Sequence, residues 1–111
     1  MKALSIHQPW AWAILHAGKS VENRSRPTSH RGPLLIHAAR SRASYDAQDV
    51  DEWRDGYGVA LPAWDELVKG AIVGQVDVVD CVRASEMSGP WIEGPWCWVL
   101  AEPRAFAAPV E

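Results

Sequence analysis

The sequence has little of what metal, cofactor and nucleophile enzymes use. Its only cysteines, Cys81 and Cys97, have no C-x-x-C or Cys/His spacing, which favours reduced core residues over a disulfide or a zinc site. It has no G-x-G-x-x-G or Walker loop, no H-E-x-x-H and no G-x-S-x-G, the motifs of dinucleotide, phosphate-loop, zinc-protease and serine-hydrolase chemistry. We therefore expect neither a metal nor a cofactor.

The sequence also lacks an apolar run long enough to cross a membrane. The opening "MKALSIHQPWAWAILHAG" is interrupted by polar residues and has no small-residue cleavage site after it, so we interpret it as part of the fold. We expect a cytoplasmic protein with no membrane partner. The length of 111 residues predicts a single domain, residues 1–111, with one modest core.

Acidic residues are missing from one part of the chain, between Asn23 and Tyr45. Residues 1–45 hold seven Lys and Arg but one acid, Glu22, for a net charge of +6, whereas residues 46–111 hold four Lys and Arg and thirteen acids, for −9. This polarity indicates a face that meets an anion. The overall charge of −3 argues against non-specific DNA coating but is compatible with a local cleft for a nucleotide or single strand.

Strands outnumber helices in the hydrophobic pattern. Strands are predicted at "ALSIH", "KSVENR", "LLIHA", "AIVGQVDVVDCV" and "WCWVLAE", with a bulge or close backbone approach at Gly74. Helices are predicted from Pro9 to Gly18, over residues 44–55 and over "LPAWDELVKG", whereas "PRAFAAPVE" has no clear period. The pattern predicts an α+β fold on a small β-barrel of mixed or antiparallel strands with flanking helices.

Lys19, Glu22 and Arg24 form a charged cluster on and beside the second predicted strand. A carboxylate between two cations can orient the polar edge of a base, hold a phosphate or take part in acid–base work on a water molecule. The residue types alone favour a simpler interpretation, a solvated strand face with an incidental ion pair.

The loop after this strand carries Arg24, Arg26, His30 and Arg31. Arginine is a fork-shaped donor suited to phosphate, so these residues are a candidate phosphate-contact set. An ordinary soluble loop has a similar composition.

Seven tryptophans are many for a chain of this length, and most are expected in the core because each buries a large area. The three that share a strand or helix face are assigned to the core: Trp64, Trp96 and Trp98. Three others stand near prolines or at element ends, where a ring can stack on a base: Trp10, Trp12 and Trp91. His37, at the end of an apolar run, is interpreted as a hydrogen-bonded core residue.

The segments "LSIHQPWA", "GKSVENR", "HRGPLLIHA", "GAIVGQVDVVDCV" and "GPWCWVL" resemble, in order and spacing, the ASCH (activating signal cointegrator homology) domains of the PUA-like superfamily. The most specific signature is the G-x-K-x-x-E-x-R element, here Gly18, Lys19, Glu22 and Arg24. The resemblance implies a PUA-like β-barrel with a cleft beside it where these charged residues gather. It outweighs the solvated-strand interpretation.

The resemblance also implies function. Family members bind RNA, other nucleic acid or a nucleobase derivative, and we expect RNA, single-stranded nucleic acid or a modified nucleoside as the partner. Lys19, Arg24, Arg26, His30 and Arg31 are then polar contacts. Trp10 and Trp91 would be the apolar walls.

Some members of the family are hydrolases that remove acyl groups from acylated cytidines, and others are ribonucleases. The resemblance thus leaves a metal-independent hydrolase as the alternative, with Lys19 as general base, Glu22 as its polar partner and Arg24 holding an anion or carbonyl. The deacylating branch has K-x-x-T where this chain has Glu22. A third possibility is a protein-interaction module that uses a Trp-rich face.

Many ASCH domains continue from a segment like "AEPRAF" into a final Gly-Leu-aromatic strand, which this sequence does not have. We therefore expect a barrel that is closed differently, left partly open or completed by a partner chain.

Overall fold

A computed structural model describes residues 1–42, 45 and 49–111. The elements in chain order are β1 (Ala3–His7), α1 (Trp10–His16), β2 (Val21–Arg24), β3 (Gly32–Ala39), α2 (Asp49–Tyr57), β4 (Ala71–Arg83) and β5 (Trp96–Val110). Single 3₁₀ turns lie at Trp64–Glu66 and Ala84–Glu86. No helix in these described ranges is both long and apolar enough to span a bilayer.

The five strands form one mixed sheet in the order β1-β3-β4-β5-β2. Only β1 and β3 are parallel, and the other neighbours are antiparallel. The predicted α+β class is therefore confirmed. A closed barrel is only loosely supported, because β1 and β2 remain the two edges of the sheet in the described part of the chain. The edges nevertheless line the same cavity, so the sheet curls until they approach one another without pairing.

Helix α1 lies between two hydrophobic clusters. Ala11 and Ile14 pack with buried residues of β3 and β4, such as Ile36. Ala13, on another side of the helix, packs with the buried ring of Trp53. Because both long sides of this short helix are covered, its two ends are fixed relative to the sheet.

The tryptophans are distributed differently from the prediction. Trp53 is the most buried of them, at 4% exposure. The three rings assigned to the core lie half-buried at its margin, because a tryptophan is too large to be enclosed easily in a small domain. Each has a cation over its face: Lys69 over Trp64, Arg83 over Trp96 and Arg24 over Trp98.

One predicted element was wrong, and one segment for which no element was predicted is a strand. "LPAWDELVKG" forms only the turn Trp64–Glu66, and the chain there is held by the bond from Lys69 Nζ to the Trp64 carbonyl (2.5 Å). "PRAFAAPVE" continues β5 to Val110. This half of β5 is mostly exposed and pairs with the first half of β4, so backbone pairing determines its conformation and side-chain periodicity does not. The predicted helix over 44–55 is found from Asp49, and its predicted start lies outside the described residues.

Gly74 permits a close approach of β5 and α1 to β4. The register of β4 shifts beside this residue on both neighbouring strands, as the sequence predicts. A Cβ atom there would lie 2.6 Å from the Arg104 carbonyl oxygen and 2.7 Å from the Leu15 side chain. Both distances are far below van der Waals contact.

We predict that Gly74→Ala lowers the free energy of unfolding by about 1–3 kcal/mol, because a backbone oxygen cannot move as a side chain can. The matched control is Gly56→Ala in α2, where an added Cβ meets nothing within 4 Å and should stabilise by about 0.5–1 kcal/mol. Urea denaturation measures both. Equal effects of the two substitutions would contradict this account of Gly74.

Candidate functional site

A cavity of about 320 Å³ lies between the two edges of the sheet. Its lining comes from β1, the first residue of α1, residues 19–24, the end of α2 and the loop that precedes β5. Both charged and aromatic side chains line it. Because these segments are far apart in the sequence, they come together only in the folded chain.

Lys19 lies at the floor of the cavity. The chain leaves α1 through Gly18, whose φ of 74° is in the left-handed region that suits glycine. The Lys19 backbone N–H donates to the Ala13 carbonyl (3.2 Å), which directs the side chain inward. Its ammonium donates to the Val21 carbonyl (2.5 Å) and lies 3.6 Å from Glu22 Oε1.

Burial lowers the pKa of Lys19 from its ordinary value of 10.5, because an ammonium loses hydration there. The Glu22 carboxylate opposes this effect, and Glu93 opposes it more weakly. Since desolvation is the larger influence, the Lys19 ammonium gives up its proton more readily than an ordinary lysine.

Glu22 joins Lys19 to Arg24 in a row of three charges. Its Oε2 accepts a bond of 3.2 Å from Arg24 Nη1. The side chains of Lys19, Glu22 and Arg24 are 2%, 9% and 36% exposed, so the row runs from the buried floor of the cavity to its mouth. The simpler interpretation of a solvated strand with an incidental ion pair is therefore wrong.

Aromatic rings form another part of the lining. Trp10, Tyr57 and Trp91 all line the cavity, and the Tyr57 and Trp91 rings stack with centroids 4.0 Å apart. The buried Trp53 supports them, at 5.1 Å from Trp10 and 5.5 Å from Trp91. Trp10 and Trp91 were predicted from the sequence, whereas Tyr57 and its support Trp53 were not, although their i, i+4 spacing on a helix was a usable signal.

Asn23 is a third residue of the site that was not predicted from the sequence. Its amide oxygen accepts bonds from the backbone N–H groups of Glu93 and Gly94 (2.9 Å each), and its amide nitrogen donates to the Trp91 carbonyl (2.9 Å). Asn23 thus fixes the loop that carries Trp91 and Glu93 against β2. An asparagine inside a predicted strand is unusual and was the available signal.

The basic loop after β2 lies outside the cavity lining. Arg26 is exposed, and His30 Nε2 is 2.8 Å from the Pro33 carbonyl oxygen. Arg31 donates to two carbonyls of its own loop and lies 3.7 Å from an Asp80 carboxylate oxygen. The structure therefore gathers Trp10, Lys19, Glu22, Arg24 and Trp91 around one cavity and leaves Arg26, His30 and Arg31 outside its lining.

The remaining polar candidates have local partners. His37 Nδ1 is 2.9 Å from the Ser5 hydroxyl, and the ring is half-buried. Cys81 and Cys97 are not joined in a disulfide, and burial raises the pKa of the Cys97 thiol. Among the residues that the structure describes, no group of three or more His, Cys, Asp or Glu side chains is placed to hold a metal ion.

We predict that Asn23→Ala lowers the free energy of unfolding by about 1–3 kcal/mol, because two N–H groups and one carbonyl lose their partner. Asn23→Asp keeps the acceptor for both N–H groups and should cost less. Urea denaturation followed by tryptophan fluorescence measures both. A value for Asn23→Ala within about 0.5 kcal/mol of wild type would contradict this role.

Comparison with known proteins identifies the family. The ASCH domain model matches residues 4–110. Activating signal cointegrator 1 of Homo sapiens is 37% identical over 87 residues, and that of Mus musculus is 39% identical over 87 residues. Each match covers 75% of this chain and 15% of the relative, so the chain corresponds to a small part of those proteins. ASCH domains are generally linked to RNA binding. The match over nearly the whole chain confirms the resemblance seen in the sequence, and the protein belongs to the ASCH domain family.

Proposed function

We propose that the cavity binds one unpaired base of RNA, or a single modified nucleotide or nucleoside. The observation that carries this proposal is the buried row of Lys19, Glu22 and Arg24 in a cavity that also has aromatic walls. At about 320 Å³ the cavity lies near the lower end of ligand pockets, about 300–1,000 Å³. It suits one base rather than an oligonucleotide.

The burial of the charges supports a ligand role. Removing two ions from water costs several kcal/mol per ion, and the contact between them often does no more than offset that cost. A buried ion pair is thus a poor stabilising device, whereas ionisable groups with shifted pKa values are frequent at functional sites. Lys19, whose pKa burial lowers, lies in the lining of a cavity, which favours a functional site over a merely stabilising ion pair.

The surface beside the cavity mouth suits a single strand. Arg24 lies at the mouth with its guanidinium over the Trp98 ring (5.7 Å), and the loop with Arg26, His30 and Arg31 follows directly along the chain. With one base in the cavity, the adjoining phosphates would contact the arginines of this segment. A paired base is stacked inside its helix and does not reach such a cavity, so single-stranded RNA is the expected form.

Arg24→Ala should weaken the binding of a short single-stranded RNA about 10- to 100-fold, the usual worth of a charge-assisted hydrogen bond. The matched control is Arg83→Ala: Arg83 also lies over a tryptophan of β5, Trp96 (4.6 Å), but does not line the cavity. Fluorescence anisotropy at several salt concentrations measures both, and wild-type affinity should fall steeply with salt.

Two results would contradict the binding proposal. Equal losses of RNA affinity in Arg24→Ala and Arg83→Ala would show that RNA does not bind at the cavity. Absence of RNA binding by the wild-type protein at every salt concentration would favour the protein-interaction alternative.

A second candidate function is metal-independent hydrolysis in the same cavity, and the lowered pKa of Lys19 favours it. A neutral Lys19 amine can take a proton from a water molecule. For an acylated cytidine, the water oxygen would bond to the acyl carbon, the carbon–nitrogen bond would break, and the released amine would take up a proton. Ribonuclease activity is the other form of this candidate.

The hydrolase candidate predicts that Lys19→Met abolishes turnover of an acylated cytidine or an RNA in metal-free buffer while affinity changes only several-fold. Because the base must be neutral, the rate should rise with pH through the pKa of Lys19, which lies below 10.5. Chromatography of the products over a pH series measures this. Absence of turnover by wild type on both substrate classes would exclude the candidate.

A further inference from the structure

We infer that the base accepted by the cavity is an unpaired uracil, recognised through its imide edge. This inference rests on the binding function proposed above and specifies its ligand. It follows from the order of hydrogen-bonding groups along the row of Lys19, Glu22 and Arg24.

The row presents a donor, an acceptor and a donor. Lysine and arginine side chains only donate when charged, and a carboxylate only accepts. Glu22 occupies the centre, with Oε1 3.6 Å from Lys19 Nζ and Oε2 3.2 Å from Arg24 Nη1. Because a cation holds each oxygen, the carboxylate has a fixed orientation before a ligand enters.

Uracil presents the complementary order. Its exposed edge has the O4 acceptor, the N3–H donor and the O2 acceptor, so N3–H meets Glu22 while the two carbonyl oxygens meet the cations. The same edge forms Watson–Crick pairs, so only an unpaired uracil can offer it.

Cytosine and adenine present the wrong group at the centre of the edge. Each has a ring nitrogen acceptor there, which would place a lone pair against the Glu22 carboxylate. A buried acceptor left without a donor is costly, and sites built for a ligand N–H reject analogues without it.

Guanine is the nearest competitor because its N1–H also meets a carboxylate. Beside this group, however, guanine has an amino donor where uracil has a carbonyl. That amino group would face a cation unless Arg24 leaves Glu22 Oε2, so guanine has to break a contact that uracil keeps.

The test compares short RNAs with wild-type protein by fluorescence anisotropy: five-residue oligomers of uridine, cytidine, adenosine, guanosine and 3-methyluridine. The last is the sharpest probe, because it keeps both carbonyls and replaces only the N3–H. We expect the uridine oligomer to bind about 10- to 100-fold more tightly than each of the others. Uridine and cytidine monophosphates, measured by calorimetry, separate recognition of the base from attraction to the RNA backbone and should show the same preference.

Glu22→Gln provides the matched variant, since it keeps the shape of the side chain but replaces one acceptor oxygen with a donor. Its preference for uridine over 3-methyluridine should fall, because only one acceptor oxygen remains for the N3–H, and an unchanged preference would overturn the inference. If the variant does not fold, as judged by circular dichroism, the wild-type comparison with 3-methyluridine decides alone.

The possible outcomes distinguish a failure of uracil recognition from a failure of the proposed base-binding function. If none of the oligomers or monophosphates binds, the proposed function fails and the inference fails with it. If all bind alike, or guanosine binds best, the function stands and the uracil inference is overturned.

Discussion

The contact between the buried Lys19 ammonium and the Glu22 carboxylate is the constraint on which the rest of the site depends. Two charges out of water are tolerable only while each keeps its partners, here the Val21 carbonyl for Lys19 and Arg24 for Glu22. The turn at Gly18 and the short strand β2 must therefore keep their positions. Removing one charge would leave the other buried with only its second partner, so the local fold around the cavity depends on the pair.

The open sheet leaves a cavity beside the Lys19–Glu22 pair. If β1 and β2 completed a closed ladder, the space between them would be filled by backbone hydrogen bonds. Because they approach without pairing, a cavity remains and the charged row lines it. Its aromatic lining comes from elements that are distant in sequence. The Trp53 ring packs against Trp10 and Trp91, and Asn23 holds the loop of Trp91 against β2. The fold thus places polar and apolar surfaces around one cavity, as the proposed binding of a planar base requires.

The sequence predicted the parts of this arrangement that depend on local pattern. The α+β class, the bulge at Gly74 and the clustering of Lys19, Glu22 and Arg24 followed from periodicity, glycine and the family motif. The second half of β5 did not, because its conformation comes from pairing with β4 across long sequence separation. The supporting role of Trp53 and the loop contacts of Asn23 are likewise tertiary, and no local pattern specifies them.

The central claim is that ligand binds in the cavity between β1 and β2. The most direct test is an NMR titration with single-stranded RNA that follows the indole N–H resonances of the seven tryptophans. The account predicts shifts for Trp10 and Trp91, which line the cavity, and unchanged resonances for Trp64 and Trp96, which do not. Shifts at Trp64 or Trp96 with Trp10 and Trp91 unchanged would contradict it.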